Sequence, residues 1–208
     1  MSSLEETKEK APWSLEMFLR RISKNILDPI SGFLLRVGFT PNSITILGVI
    51  LSMGVAVLIG FGYIPWAGVL ILVAAPMDAV DGSMARLKGI SSPFGAFLDS
   101  VTDRYSEMII LGGLLFYYLQ QNNNLLACML IFLAAVGSIM VSYTKARAEA
   151  LGFSAKVGIL TRVERVLVLA PCLLFNIPMV ALWILAVLGN FTAIQRILYV
   201  RRQSLSKD

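Results

Sequence analysis

The sequence predicts an all-α membrane protein, in which six transmembrane helices follow an N-terminal interfacial amphipathic helix. Three observations predict it. The 208 residues are 57% hydrophobic and only 15% charged, with a mean hydropathy of +0.75, which is too apolar for a soluble domain of this size. Six stretches are long and apolar enough to cross a bilayer. All 18 Lys and Arg residues lie in the terminal segments, on alternate connections or in the parts of the spans that adjoin these, so an even number of spans places every positive charge on one side of the membrane.

The elements follow in chain order. The opening MSSLEETKEKAP is polar and lacks the apolar core of a signal peptide, so no cleaved leader is expected. The stretch WSLEMFLRRISKNILDPISGFLLRVGF carries apolar residues at helical spacing with Arg20, Arg21 and Lys24 between them. It suits a helix lying in the interface near anionic head groups, broken or kinked at Asp28-Pro29. The six spans are expected at roughly 43–62, 65–86, 95–119, 125–147, 159–176 and 178–199. GFGYIP, QQNNN and FNIP read as turns and contain no Lys or Arg. Both termini and the intervening basic connections therefore face the cytoplasm of a multi-pass cell-membrane protein. One domain covers residues 1–208, with a cytoplasmic or interfacial segment 1–40, a six-helix core 41–200 and a cytoplasmic tail 201–208. Orientation accounts for the basic residues, so no nucleic-acid partner is expected. Cys128 and Cys172 stand alone in apolar runs and read as packing residues. Histidine is absent, so acid–base or metal chemistry falls to carboxylates.

Those carboxylates stand in DAVDGSMARLKGISSPFGAFLDSVTD, from residue 78. Asp78 and Asp81 are i and i+3 near the cytoplasmic end of the second span, and Asp99 and Asp103 are i and i+4 at the start of the third. The short connection, with Gly89 and Pro93 marking the turn, makes the two helices antiparallel neighbours. All four carboxylates can then converge. A carboxylate at the bilayer centre costs about 2.5–3.5 kcal/mol on insertion scales, so something must offset four of them. Hard divalent cations, Mg²⁺ first and Mn²⁺ as a possibility, prefer oxygen ligands, and two such ions would neutralise four aspartates. Gly82 leaves room for a phosphate, Gly95 opens the Asp99–Asp103 face, and Arg86 places a fixed cation nearby. The pattern reads as a two-metal phosphate site at the membrane surface. Asp103, nearest the bilayer interior, is the position expected for a general base.

Read as a whole, Asp78-x2-Asp81-Gly82-x2-Ala85-Arg86-x8-Gly95-x3-Asp99-x3-Asp103 resembles the signature of the CDP-alcohol phosphatidyltransferases at every position. The resemblance implies transfer of a phosphatidyl-type group from a CDP-linked lipid to an alcohol, with release of CMP. It implies metal-ligand roles for Asp78, Asp81 and Asp99, with Asp78 and Asp99 bridging, and a double role for Asp103 as ligand and base. It also implies CDP-lipid contacts from Gly82, Arg86, Ser92 and the PNSI stretch, Pro41, Asn42, Ser43 and Ile44. A homodimer is common in the family.

The acceptor is read elsewhere. SYTKARAEALG and VGILTRVERVLVL, with the tail QRILYVRRQ, are similar to segments of the phosphatidylinositol-phosphate synthase subgroup, whose acceptor is inositol 1-phosphate; Val163 departs from its usual proline. A phosphorylated acceptor calls for a basic pocket, and Lys145, Arg147, Arg165 and Arg196 stand at cytoplasmic helix ends where they could form one, with Glu164 orienting an arginine. The expected reaction uses CDP-diacylglycerol and inositol 1-phosphate. Alternatives are a phosphatidylglycerol-phosphate synthase, a relative using CDP-archaeol and, from another class, a divalent-cation transporter. Against the transporter, the aspartates gather at one membrane face.

Overall fold

The computed structural model describes residues 27–89, 92–121 and 124–205. Helix α1 covers 27–37. It is followed by α2 (Pro41–Gly60), α3 (Ile64–Ala74), α4 (Met77–Leu87), α5 (Pro93–Gln120), α6 (Leu125–Ala150), α7 (Arg162–Leu174) and α8 (Pro178–Leu205). No strand occurs among the described residues. Arg20, Arg21 and Lys24 of the expected interfacial helix lie outside them. From Leu27 to Val37 the helix is continuous across Asp28-Pro29, and the residues before Leu27, which Pro29 would set off, lie outside the described residues.

The chain is a helical membrane protein. Among the described residues, four helices are long and apolar enough to cross a bilayer: Pro41–Gly60, Ile64–Leu87 taken through its break, Leu125–Ala150 and Pro178–Leu205. The other two expected spans differ for physical reasons. The N-terminal half of α5 carries Asp99, Asp103, Arg104 and Glu107. At 1.5 Å per residue the 13 residues of α7 reach only about 20 Å, short of a ~30 Å hydrocarbon core.

The expected second span is divided at Ala75-Pro76, because the proline ring removes one backbone donor and crowds the preceding turn. The division has a use. It makes Met77 the first residue of α4 and puts Asp78 in that helix's first turn, where unpaired backbone N–H groups and the helix dipole favour a carboxylate. Gly89 adopts φ +65°, a left-handed conformation that glycine takes without a Cβ penalty, and Pro93 occupies the first turn of α5 behind the N-cap Ser92.

Helix α2 packs along α4 and α5, α3 along α7, and α6 along α8. Small residues set these spacings, as expected where lipid supplies no hydrophobic drive between helices. A Cβ at Gly113 of α5 would meet Ala56 Cα of α2 at 2.7 Å, and one at Gly68 of α3 would meet the Leu174 backbone nitrogen of α7 at 2.5 Å. Gly112, its neighbour in α5, faces open space. Gly113→Ala should therefore lower the melting temperature in detergent, at an overpacking cost of about 1–3 kcal/mol. Gly112→Ala should hold it or raise it slightly. Equal melting temperatures for the two variants would contradict the α2–α5 contact.

A second, smaller cluster joins α1 to the site-bearing elements. Leu27, Ile44, Val80 and Met84 pack together, Ser31 Oγ donates to the Val80 carbonyl at 3.2 Å, and Ser83 Oγ donates to Asp28 Oδ1 at 2.6 Å. Ile44, only 1% exposed, is thus a core residue that binds α1, α2 and α4. It offers no face to a ligand.

Candidate active site

Three of the four aspartates converge. Oxygens of Asp78, from the first turn of α4, and of Asp99 and Asp103, from α5, lie within 4.8 Å of one another. Asp81 is turned away: it is 6% exposed and accepts a 2.6 Å hydrogen bond from Thr45 Oγ1 of α2. Three residues along a helix rotate a side chain by about 300°, so i and i+3 neighbours diverge by ~60°. Thr45 takes up the carboxylate thus directed toward α2.

Like charges this close repel strongly unless a cation compensates. Asp99 Oδ1 is buried with no hydrogen-bond partner, an acceptor whose desolvation nothing else offsets. Three hard oxygen donors with one orphaned lone pair fit a divalent metal ion. A further cation is supplied by the chain itself. Arg162, the first residue of α7, places Nη2 2.6 Å from Asp78 Oδ2 and 2.6 Å from Asp103 Oδ1. Asp103 is the more enclosed of the two, its side chain 15% exposed.

The residues expected to meet the CDP-lipid divide by role. Ser92 caps α5 by accepting from the Gly95 N–H at 2.9 Å. A Cβ at Gly95 would lie 3.0 Å from Ser92 Oγ and 3.5 Å from Asn42 Oδ1, so this glycine brings α2 and the start of α5 together beside the aspartates. Pro41 opens α2, while Ser43 and Thr40 cap it reciprocally, with Ser43 N donating to Thr40 Oγ1 and Thr40 N to Ser43 Oγ. Arg86 is exposed one turn beyond Gly82, its Nη1 3.6 Å from where a Gly82 Cβ would stand.

A cavity of about 380 Å³ opens beside Asp103, lined among others by Lys145, Arg165 and Arg196. Three of the four expected basic residues thus meet. Arg147 does not line it and stands exposed, because Lys145 and Arg147 are two residues apart on α6 and face different directions. Arg196 is 5% exposed and spends its guanidinium on carbonyls, donating from Nε to Val157 at 2.8 Å and from Nη1 to Val141. Lys145 lies 4.0 Å from Glu149.

Arg165 is paired with Glu107, and Glu164, expected to orient one of the arginines, is not its partner. Its Nε lies 2.7 Å from Glu107 Oε1 and its Nη2 donates to Oε2 at 3.1 Å. Ser138 Oγ also donates to Glu107, so the pair ties α5, α6 and α7 together. Glu164 instead accepts from the N-cap Thr161 hydroxyl. Breaking a buried pair costs about 3–5 kcal/mol because one charge is left uncompensated, whereas an apolar replacement of both can be neutral. Glu107→Gln should therefore lower the melting temperature markedly, and Glu107→Leu combined with Arg165→Met should recover much of it. A single variant as stable as the parent would contradict this pairing.

A second, narrower cavity of about 80 Å³ runs from the same carboxylates into the apolar interior between α2, α3, α5 and α7. Arg162, Glu107 and Thr45 are the site residues that sequence reasoning missed. Glu107 continues the four-residue spacing of Asp99 and Asp103 and could have been read from it. Thr45 and Arg162 reach the site through helix packing, which leaves no local signal.

Residues 39–195 match the family model for CDP-alcohol phosphatidyltransferase. The chain is 37% identical to a phosphatidylinositol phosphate synthase of Streptomyces avermitilis over 93% of this chain and 85% of that protein. It is 34% identical to an archaetidylinositol phosphate synthase of Pyrococcus horikoshii over 86% of this chain and 93% of that protein. A crystal structure of the Mycobacterium tuberculosis phosphatidylinositol phosphate synthase with CDP-DAG bound superposes with a TM-score of 0.79 at 32% identity, covering 85% of this chain and 94% of that one. The same enzyme in complex with manganese and citrate gives a TM-score of 0.79 at 32% identity, covering 84% and 88%.

Proposed function

This chain belongs to the CDP-alcohol phosphatidyltransferase family, and from that premise we propose that it transfers the phosphatidyl group of CDP-diacylglycerol to inositol 1-phosphate, forming phosphatidylinositol phosphate and CMP. The observation that carries the reading is the convergence of Asp78, Asp99 and Asp103 beside a basic cavity. Asp78, Asp99 and Asp103, with Asp81 at the edge of the group, would hold two Mg²⁺ ions, or Mn²⁺. Bound there, the ions supply positive charge for the pyrophosphate oxygens and the departing CMP.

The chain's own residues do the rest. Asp103 lines both cavities and takes the proton from the acceptor hydroxyl, whose oxygen attacks the lipid-side phosphorus as the bond to CMP breaks. Asn42, Ser92, Gly82 and Arg86 hold the CDP moiety where α2, α4 and α5 meet, and Pro41 and Ser43 fix the helix end that presents Asn42. Lys145 and Arg196, with Arg165 held by Glu107, form the wall that receives the acceptor phosphate. The fold reads as six spans, α2, α3–α4, α5, α6, α7 together with the residues that flank it, and α8, behind an interfacial N-terminal helix, with the site and both termini cytoplasmic. The enzyme works as a homodimer.

The archaeal relative favours one second reading, CDP-archaeol as donor, and a single experiment separates the two. Purified protein, Mg²⁺ and inositol 1-phosphate are incubated with each CDP-lipid and the lipid product is weighed by mass spectrometry. Phosphatidylinositol phosphate from CDP-diacylglycerol is expected. Product from CDP-archaeol alone would transfer the assignment to that donor, and no lipid product from either would overturn the proposed reaction.

A further inference from the structure

The cation that bridges the carboxylates belongs to the chain. Arg162 directs a single nitrogen, Nη2, at oxygens of both Asp78 and Asp103, each 2.6 Å away. Those residues are two of the three whose oxygens converge within 4.8 Å. A guanidinium nitrogen shared by two carboxylates occupies the space between them that an ion held by the same pair needs, and two cations cannot share it. Asp99, the third member, keeps a buried Oδ1 with no hydrogen-bond partner.

We infer that Arg162 competes with a divalent cation for Asp78 and Asp103, holding the two carboxylates together before the metal binds and giving them up when it does. This rests on the reading of the cluster as a divalent-cation site. The neighbouring ion pair behaves differently. Arg165 is 4% exposed and fixed on Glu107, which lies outside the cluster, whereas the Arg162 side chain is 38% exposed and borders both cavities. A displaced Arg162 therefore has open space to enter, whereas Arg165, which also lines both cavities, is held in place by Glu107.

The competition fixes a sign that a purely structural ion pair would not. By linkage, a group that must leave before a ligand enters weakens that ligand by the free energy of its own contacts. Removing Arg162 should loosen the metal-free protein and tighten its hold on the metal. A residue that only packed the site would loosen both.

The test uses the full chain in detergent and Mn²⁺ alone, with free Mn²⁺ followed by electron paramagnetic resonance and melting temperatures taken with and without the ion. Arg162→Gln is expected to bind Mn²⁺ about tenfold tighter than the parent, to melt lower without metal and to gain more on its addition. Arg162→Lys, which lacks the forked guanidinium, should shift affinity in the same direction by less. Arg104→Gln loses the same charge from a side chain that donates to the Ser100 carbonyl, and should change affinity least. Unchanged or weaker binding in both Arg162 variants, with parent binding abolished by Asp99→Ala, would overturn the competition and leave the metal site standing. Absence of Mn²⁺ binding from the parent and every variant would overturn both.

Discussion

Asp103→Asn is expected to lower CMP release by about 10²–10⁴-fold, the usual contribution of a positioned general base. The substitution keeps the side chain's shape and removes its ability to take a proton. Asp103 is the carboxylate with the best claim to that work, because it lies at once in the metal-fitting cluster and on the wall of the basic cavity. Its effect on stability should be small. Neutralising one of three converging carboxylates relieves repulsion, while losing one oxygen anion at 2.6 Å weakens the bridge from Arg162, and the two changes oppose each other. A variant with normal melting temperature and no turnover is the expected result. A variant with near-parental turnover would remove Asp103 from the chemistry.

Chelation should have a comparable effect. Stripping divalent ions with EDTA is expected to abolish CMP release, and Mg²⁺ or Mn²⁺ to restore it, because the three carboxylates have no other source of charge sufficient to receive a pyrophosphate. The same ions should raise the melting temperature, since a ligand at a hundred times its dissociation constant stabilises the folded state by about 2.7 kcal/mol. Asp99→Ala removes the orphaned buried oxygen and should lose both the thermal shift and the turnover. A metal-induced shift that survives in Asp99→Ala would place the ion elsewhere.

Much of this site was legible in the sequence, because helical spacing is a local property. Asp99 and Asp103 are one turn apart on α5, and a connection of a few residues returns the chain from Asp78, so their convergence follows from counting. Asp81 is less simply read. Its i+3 position shares a general direction with Asp78, but the remaining rotation brings one of its oxygens to Thr45, and that contact depends on the packing of α2 on α4. The same limit hid Arg162, separated from Asp78 by 84 positions. Composition alone could not identify which cations of a basic helix end face inward. Lys145 and Arg196 do, Arg147 does not, and Arg165 is claimed by Glu107. In the fold, Pro76 divides the apolar run that reads as one span. The break places Asp78 in the first turn of a helix. α7 was read as a longer span because the residues before it, 159–161, are apolar or neutral, although the helix itself begins only at Arg162.

In the proposed reaction, a metal-held carboxylate cluster next to a basic cavity transfers a phosphatidyl group to a phosphorylated inositol. The most direct measurement is CMP release by the purified protein with CDP-diacylglycerol and Mg²⁺, comparing inositol 1-phosphate, inositol, glycerol 3-phosphate and serine as acceptors. Release with inositol 1-phosphate and not with the other three is the predicted result. Release with glycerol 3-phosphate but not inositol 1-phosphate would contradict the acceptor assignment, and release with none of the four would contradict the proposed reaction itself.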